Sequence, residues 1–147
     1  MARSMTDYSK LLEEGRIKSG RFSRKQVEDC LAIAKRDSST ARIVLETSPE
    51  WAFNIAYNAM QQAGRAFMFS KGYRTDGEAH HATVVQFLEI ALGREYEDAL
   101  AVLDRMRRKR NRSTYDTVGT ISDREAKEAV SIAEEFVENI VSLLKSS

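Results

Sequence analysis

The strongest concentration of charge in this sequence is a basic run in which six of the eight residues from 105 to 112 are arginine or lysine. The whole chain carries a formal charge of only +1. Like charges three or four residues apart destabilise a helix by roughly 0.2–0.5 kcal/mol per pair, so a counter-charge must offset the run. Acidic side chains of the same protein would do so. A bound phosphate would also do so, and the planar guanidinium of arginine is well suited to hold one.

The end of the basic run carries the side chains best suited to such a site. Asn111 and Tyr115 lie four residues apart, hence on one face of a helix, and the run stops shortly before a predicted loop, where a ligand can approach. With Arg110 they form the candidate catalytic or binding core. The alternative is a solvated basic face paired with one of the nearby acids Glu95, Glu97, Asp98 and Asp104. The candidate supporting cations for phosphate are Arg107, Arg108 and Arg112.

A second candidate site is a polar stripe on the third predicted helix. Its members recur at intervals of three and four residues and therefore share a face: Asn54, Asn58, Gln61, Gln62 and Arg65. Such a stripe is either the solvated back of a helix or the lining of a cleft or subunit interface. His80, at the start of the next predicted helix, is a further candidate cleft residue, and the alternative for it is a helix start in contact with solvent.

The sequence predicts neither a metal nor a cofactor. His80 and His81 are the only histidines, and Cys30 is the only cysteine. Adjacent histidines on a helix point about 100° apart and cannot hold one ion together. No zinc-binding histidine spacing or cysteine pair is present, and neither is a P-loop or a dinucleotide-binding glycine pattern.

The elements that position these residues are predicted to be helices, because one proline and seven glycines leave long stretches uninterrupted. Capping boxes at Ser23–Gln26 and Ser122–Glu125 each start a helix, and Ser48 followed by Pro49 starts another. No alternating pattern predicts a strand. The remaining predicted elements are a helix from about Asp7 to Lys18, a loop at 72–77, a helix from about His80 to Leu92, and a helix carrying Tyr96 to Met106.

These patterns predict an all-α bundle of five or six helices that forms a single domain over residues 1–147, with residues 1–22 as an N-terminal helical extension. No apolar run approaches the roughly 20 residues that a membrane span needs. A lone cysteine suits a reducing compartment. We therefore expect a cytoplasmic protein with no membrane association.

The candidate core resembles a known motif. Arg110-Asn111 followed by Tyr115 is similar to the R-N-x-x-x-H motif of HEPN domains, which are small helical proteins of bacteria and archaea. The resemblance extends over about residues 25–145. It includes the alanine- and tyrosine-rich stretch Ala56–Met60, the loop and histidine at Gly77–His80, and the closing stripe from Ile121 to Phe136.

The resemblance implies an antiparallel up-and-down bundle that pairs as a homodimer, with two copies of the arginine motif facing each other across a cleft. Many HEPN proteins are metal-independent ribonucleases, often toxins encoded beside a nucleotidyltransferase partner. By this resemblance Arg110 would bind phosphate and Asn111 would position it. Tyr115 stands where the family has histidine, and an unperturbed tyrosine, with a pKa of about 10, is a poor base at neutral pH, although nearby arginines favour its phenolate form.

Three functional hypotheses follow. In the first, a HEPN homodimer binds RNA or nucleotide phosphate in a basic cleft without cutting it, as part of a toxin–antitoxin type system with a nucleotidyltransferase partner. In the second, the chain is an active metal-independent ribonuclease toxin that uses Arg110 and Tyr115. In the third, it is a non-catalytic protein-interaction module whose arginines dock an acidic partner. Whether the chain is an enzyme stays open between them.

Overall fold

A computed structural model describes the backbone of residues 7–115 and 121–145, and the side chains of all of these except 110–115. The described residues form six α-helices, one 3-10 turn and one two-stranded antiparallel sheet, so the predicted all-α bundle is confirmed. In chain order the elements are α1 (Ser9–Glu13), β1 (Ile17–Ser19), α2 (Arg24–Val44), α3 (Pro49–Ser70), β2 (Tyr73–Thr75), α4 (His80–Ala91), the 3-10 turn (Arg94–Tyr96), α5 (Glu97–Tyr115) and α6 (Asp123–Lys145).

Three long helices begin where the sequence predicts. The Ser23 hydroxyl accepts a hydrogen bond from the Gln26 backbone N–H at 3.1 Å, while the Ser23 N–H donates to the Gln26 side chain at 2.9 Å. Ser122 and Glu125 make the same reciprocal pair at 3.1 and 3.2 Å. Each pair satisfies two backbone groups that a helix start otherwise leaves unpaired. Ser48 caps α3 ahead of Pro49.

The core is organised around α3, which packs against α2, α6 and α4. Five of its alanines are fully buried and let neighbouring helices approach closely: Ala52, Ala56, Ala59, Ala63 and Ala66. Gly64 provides the tightest approach, because a Cβ atom built there would lie only 2.7 Å from a methyl group of Val84 on α4. This close packing fixes where the start of α4 sits relative to the polar residues of α3.

The N-terminal prediction is wrong in its second half. The predicted helix over Asp7–Lys18 ends at Glu13, and Ile17–Ser19 instead pairs antiparallel with Tyr73–Thr75, within the predicted 72–77 loop. The prediction of no strands is therefore wrong for these two segments. Ile17 is 1% exposed, so burial of its side chain drives the pairing. A three-residue strand is too short for an alternating pattern to be recognised.

Aromatic packing joins this N-terminal region to α4. The ring of Tyr8 stacks on Phe87 at a centroid distance of 4.2 Å and meets Tyr73 edge-on at 5.0 Å. The part of the predicted N-terminal extension that the structure describes is therefore built into the bundle, as a short helix followed by a strand. None of the described helices is both long and apolar enough to cross a membrane.

Candidate anion-binding cleft

A cleft of about 840 Å³ lies where α3, β2, the start of α4 and α5 meet. Helix α3 contributes more of the lining residues than any other element, and α4 and α5 contribute others. The lining residues with polar or charged side chains that matter here are Asn58, Gln61, Gln62, Arg65, Arg74, Thr75, Glu78, His80, His81 and Arg107. The cleft thus gathers residues from both candidate sites, the stripe on α3 and the basic run on α5.

The stripe on α3 divides between the cleft and the protein interior. Asn58, Arg65 and His80 are brought together in the cleft, whereas Asn54 is absent from its lining. The side-chain oxygen of Asn54 is buried without a hydrogen-bond partner among the described residues. Asn58 is anchored from below, because its amide nitrogen donates to the carboxylate of buried Asp37 at 2.7 Å.

In the described part of the basic run, each cation has an acidic partner. Arg107 and Arg108 share Asp104, at 3.0 and 2.9 Å. Helix α6 supplies the other partners: Arg105 contacts Glu128 at 2.9 Å, and Lys109 contacts Glu125 at 2.6 Å. In this described part of the run, acidic side chains of the same protein therefore offset the charge, which is one of the two expected ways. Of these four cations only Arg107 also lines the cleft, so Arg107 and Arg108 have different surroundings.

These ion pairs also affect ionisation. The hydrogen bond from Lys109, more than any other contact, holds the pKa of the Glu125 carboxyl below its usual value. Glu89, on α4, behaves oppositely: partial burial raises its pKa, and the nearby charge of Asp104 raises it further. The carboxylate that holds Arg107 and Arg108 thus also repels a neighbouring acid.

The candidate core of the motif lies partly beyond what is described. The backbone of α5 runs to Tyr115, so positions 107, 111 and 115 follow one another at four-residue intervals along one side of the helix. The side chains of Arg110, Asn111, Arg112 and Tyr115 lie outside the described residues.

Arg65 is the cleft cation with the least internal compensation. Its guanidinium lies 3.4 Å from the Gln62 side-chain oxygen and 5.5 Å from the centre of the Phe69 ring, and it forms no ion pair with any described residue. Arg74, by contrast, contacts Asp76 at 3.5 Å. Among the described residues that line the cleft there are three arginines, and Glu78 is the single carboxylate. The cleft therefore has a positive character that suits an anion.

His81 is a cleft residue that sequence reasoning did not select. Its Nδ1 lies 2.7 Å from the hydroxyl of fully buried Tyr57, while Gln61 contacts the same hydroxyl at 3.2 Å. His80 contacts only the more exposed Thr75, at 2.9 Å, among its described hydrogen bonds. The spacing of Tyr57 and Gln61, four residues apart on α3, was a signal that they share a face, but nothing local linked them to His81.

The described residues contain no group of three or more histidine, cysteine, aspartate or glutamate side chains that could hold a metal ion. The arginine, amide and imidazole groups that line the cleft can form hydrogen bonds and, in the case of the arginines, charge pairs. Such groups bind phosphate oxygens.

The fold and the cleft define a class: an all-α bundle with a basic cleft at one side of its central helix. The HEPN domain model matches residues 27–144, and the chain belongs to the HEPN domain family. The resemblance seen in the sequence is thus confirmed. The chain is also similar in fold to a crystal structure of TT1696 from Thermus thermophilus, with a TM-score of 0.63 and 18% identity, covering 80% of this chain and 97% of that one. Among curated proteins, none matches this sequence.

Proposed function

We propose that this HEPN protein binds RNA or nucleotide phosphate in the basic cleft and does so as a homodimer without cutting the ligand. Family membership supports a role connected with RNA or nucleotides. The observation that carries the proposal is the convergence of Arg65 from α3 and Arg107 from α5 on one cleft, at the point where α5 continues toward Arg110, Asn111 and Tyr115.

The geometry of the two arginines supports phosphate as the ligand class. Arg65 has no described carboxylate partner, so a bound anion would neutralise it. Arg107 contacts Asp104 through Nε, but a guanidinium carries five N–H donors, so one carboxylate does not exhaust it. The amides of Asn58 and Gln62, which also line the cleft, add neutral hydrogen-bonding groups beside the two charges.

The proposal gives Arg110, Asn111 and Tyr115 the role of extending this phosphate site along α5. Tyrosine in place of the family histidine supports binding over cleavage, because a phenol holds its proton at neutral pH. Arg108 and Arg112 would add long-range attraction for the ligand.

The homodimer and the partner are further parts of the proposal. Two copies would bring two motifs to a shared cleft, and a nucleotidyltransferase encoded beside this chain would be its partner in a toxin–antitoxin type system. Light scattering on the purified protein should give twice the 16.7 kDa mass of one chain. A monomer over the full concentration range would exclude the shared cleft.

The proposal is tested by titrating a short fluorescein-labelled oligoadenylate RNA with wild-type protein and with Arg65→Ala. A hydrogen bond to a charged group contributes about 1.5–3 kcal/mol, so the variant should bind about tenfold more weakly or worse. Arg42→Ala is the matched control, because Arg42 is an exposed helix arginine that pairs with Glu134 away from the cleft. Equal affinity of the two variants would contradict the proposal, and RNA shortened by the wild type would favour the ribonuclease hypothesis instead.

A further inference from the structure

Two phenylalanines form an aromatic pair at one edge of the cleft. Phe22 immediately precedes Ser23, which caps α2, and Phe69 lies in the last turn of α3. Their rings stack with centroids 4.6 Å apart and an angle of 17° between the planes. Phe69 packs against the hydrophobic core, whereas Phe22 is not among the described side chains that do so. The partly exposed ring of Phe22 is therefore held at the surface by Phe69, where a ligand can reach it.

The aromatic pair separates the cleft from a second groove. This groove has a volume of about 330 Å³ and is lined by residues of α2, the end of α3 and the end of α6. Phe22 and Phe69 line both the cleft and the second groove, so they lie on the boundary between the two. The pair is thus a ridge with a cavity on each side. A ligand long enough to leave the cleft at this edge passes over the two rings.

The second groove has the same sign of charge as the cleft. Its described lining contains one carboxylate, Glu28, and three cations: Arg24, Lys35 and Lys145. Arg24 pairs with Glu28 at 3.2 Å, whereas neither lysine forms an ion pair with any described residue. Four aliphatic side chains also line the groove: Val27, Leu31, Val141 and Leu144. Cations beside apolar side chains suit a ligand that carries both negative charges and flat apolar groups.

Arg65 connects the ridge with the proposed phosphate site of the cleft. Its guanidinium lies 5.5 Å from the centre of the Phe69 ring, within the distance of about 6 Å at which a cation and an aromatic ring attract each other. Single-stranded nucleic acid is bound by this combination of groups, because cations follow its backbone while its bases stack on aromatic side chains. An inorganic phosphate would use the cations alone and would not contact the ridge.

We propose that the cleft binds single-stranded RNA with one base stacked on the ring of Phe22, and that the strand continues over the ridge into the second groove, where Lys35 and Lys145 contact its backbone. This inference rests on the proposed phosphate-binding function and makes its ligand more specific. Phe69 supports the ring of Phe22, and Arg65 holds a phosphate on the cleft side of the ridge. Because every base has an apolar face, the ridge accepts an unpaired base without selecting a sequence.

The stacked base is tested with two labelled strands of equal length and charge, the oligoadenylate RNA and a ribose-phosphate strand that lacks bases. Stacking of one base should make wild-type protein bind the oligoadenylate about five- to 150-fold more tightly than the strand without bases. Phe22→Leu keeps an apolar side chain but removes the ring, so it should lose most of this preference and bind the strand without bases like wild type. A general loss of structure would instead weaken the binding of both strands.

Trp51→Leu is the matched control for the loss of an aromatic ring. Trp51 is 65% exposed on α3 and lines neither the cleft nor the second groove. This variant should bind both strands like wild type. Circular dichroism and thermal unfolding check that each variant is folded.

The path into the second groove is tested at Lys35. Lys35→Ala should weaken the binding of the oligoadenylate and reduce the magnitude of the slope of log K against the logarithm of salt concentration by about 0.7, the value for one phosphate contact on a single strand. Lys127→Ala removes an exposed lysine of α6 outside both cavities and should keep the wild-type affinity and slope. Equal values for the two variants would overturn this path and leave the groove to a ligand other than RNA.

The outcomes separate this inference from the proposed function. If wild-type protein binds both strands equally, or if Phe22→Leu keeps the full preference for the oligoadenylate, the inference fails. Weaker binding by Arg65→Ala would then still support the proposed function. If wild-type protein binds neither strand, both fail.

Discussion

Replacement of Gly64 by alanine tests the helix contact on which the cleft depends. A Cβ atom at position 64 would lie 2.7 Å from Cγ1 of Val84 and 3.0 Å from Cδ1 of Leu88. Favourable carbon–carbon contacts begin at about 3.5 Å, so the nearer contact is too short by about 0.8 Å. Val84 and Leu88 are 1% and 0% exposed, and a valine in a helix has essentially one χ1 rotamer. Helix α4 must therefore move.

The expected magnitude follows from two opposing effects. Overpacking a core costs about 1–3 kcal/mol, and this contact, between rigid buried groups, belongs at the upper end. Alanine is favoured over glycine inside a helix by about 1 kcal/mol. The net loss in the free energy of unfolding should be about 1–2 kcal/mol. Because α4 carries His80 and His81, its displacement should also weaken RNA binding.

Urea unfolding of four proteins measures this effect. The four proteins are wild type, Gly64→Ala, Val84→Ala and the double variant, which together form a double-mutant cycle. Removal of the Val84 methyl groups should relieve the clash, so the coupling free energy between the two substitutions should be favourable by about 1 kcal/mol or more. Gly93→Ala is the matched control: no atom lies within 4 Å of its added Cβ, so it should be neutral or stabilising by up to about 1 kcal/mol. A Gly64→Ala protein as stable as wild type, or strictly additive energies in the cycle, would refute the packing argument.

Two further predictions concern stability. Partial burial, assisted by the charge of Asp104, raises the pKa of Glu89, so the ionised carboxylate costs stability at neutral pH, and this cost disappears as the pH falls through the raised pKa. Glu89→Gln should therefore raise the melting temperature at pH 7 and change it little near pH 4. The reverse pattern would disprove the assignment. Ile17→Ala should lower the free energy of unfolding in urea by about 2–5 kcal/mol, because the Ile17 side chain is 1% exposed. Substitution of its exposed neighbour, Lys18→Ala, should lower it by under about 1 kcal/mol. Equal small losses would mean that β1 contributes little to the fold.

The long helices were predictable because their signals are local. The capping box at Ser23 and Gln26 depends on residues three positions apart, and so does the one at Ser122 and Glu125. The strands were not predictable in this way. Ile17 becomes a strand residue only because Thr75, far along the chain, lies opposite it.

The candidate site shows the same division. Arg65 and Asn58 were selected because helix spacing places them on one face, and the cleft does bring them together. His81 was missed because its distinctive contact, with Tyr57, joins two helices and cannot be read from spacing within either one. Similarly, the sequence indicated that either acidic side chains or a bound phosphate must balance the basic run, but the contribution of Glu128 from α6 depends on how the helices pack.

The most direct test of the central claim compares two variants of α5 that lose the same charge. Arg107 lines the cleft, whereas Arg105 contacts Glu128 outside it. If the cleft binds the RNA, Arg107→Ala should bind the labelled oligoadenylate about tenfold more weakly than Arg105→Ala, as expected for the loss of one charged hydrogen bond. Arg107→Ala should also reduce the slope of log K against the logarithm of salt concentration by about 0.7. Equal affinities and equal salt dependence for the two variants would contradict the account, because they would show that only the overall charge of the basic run matters.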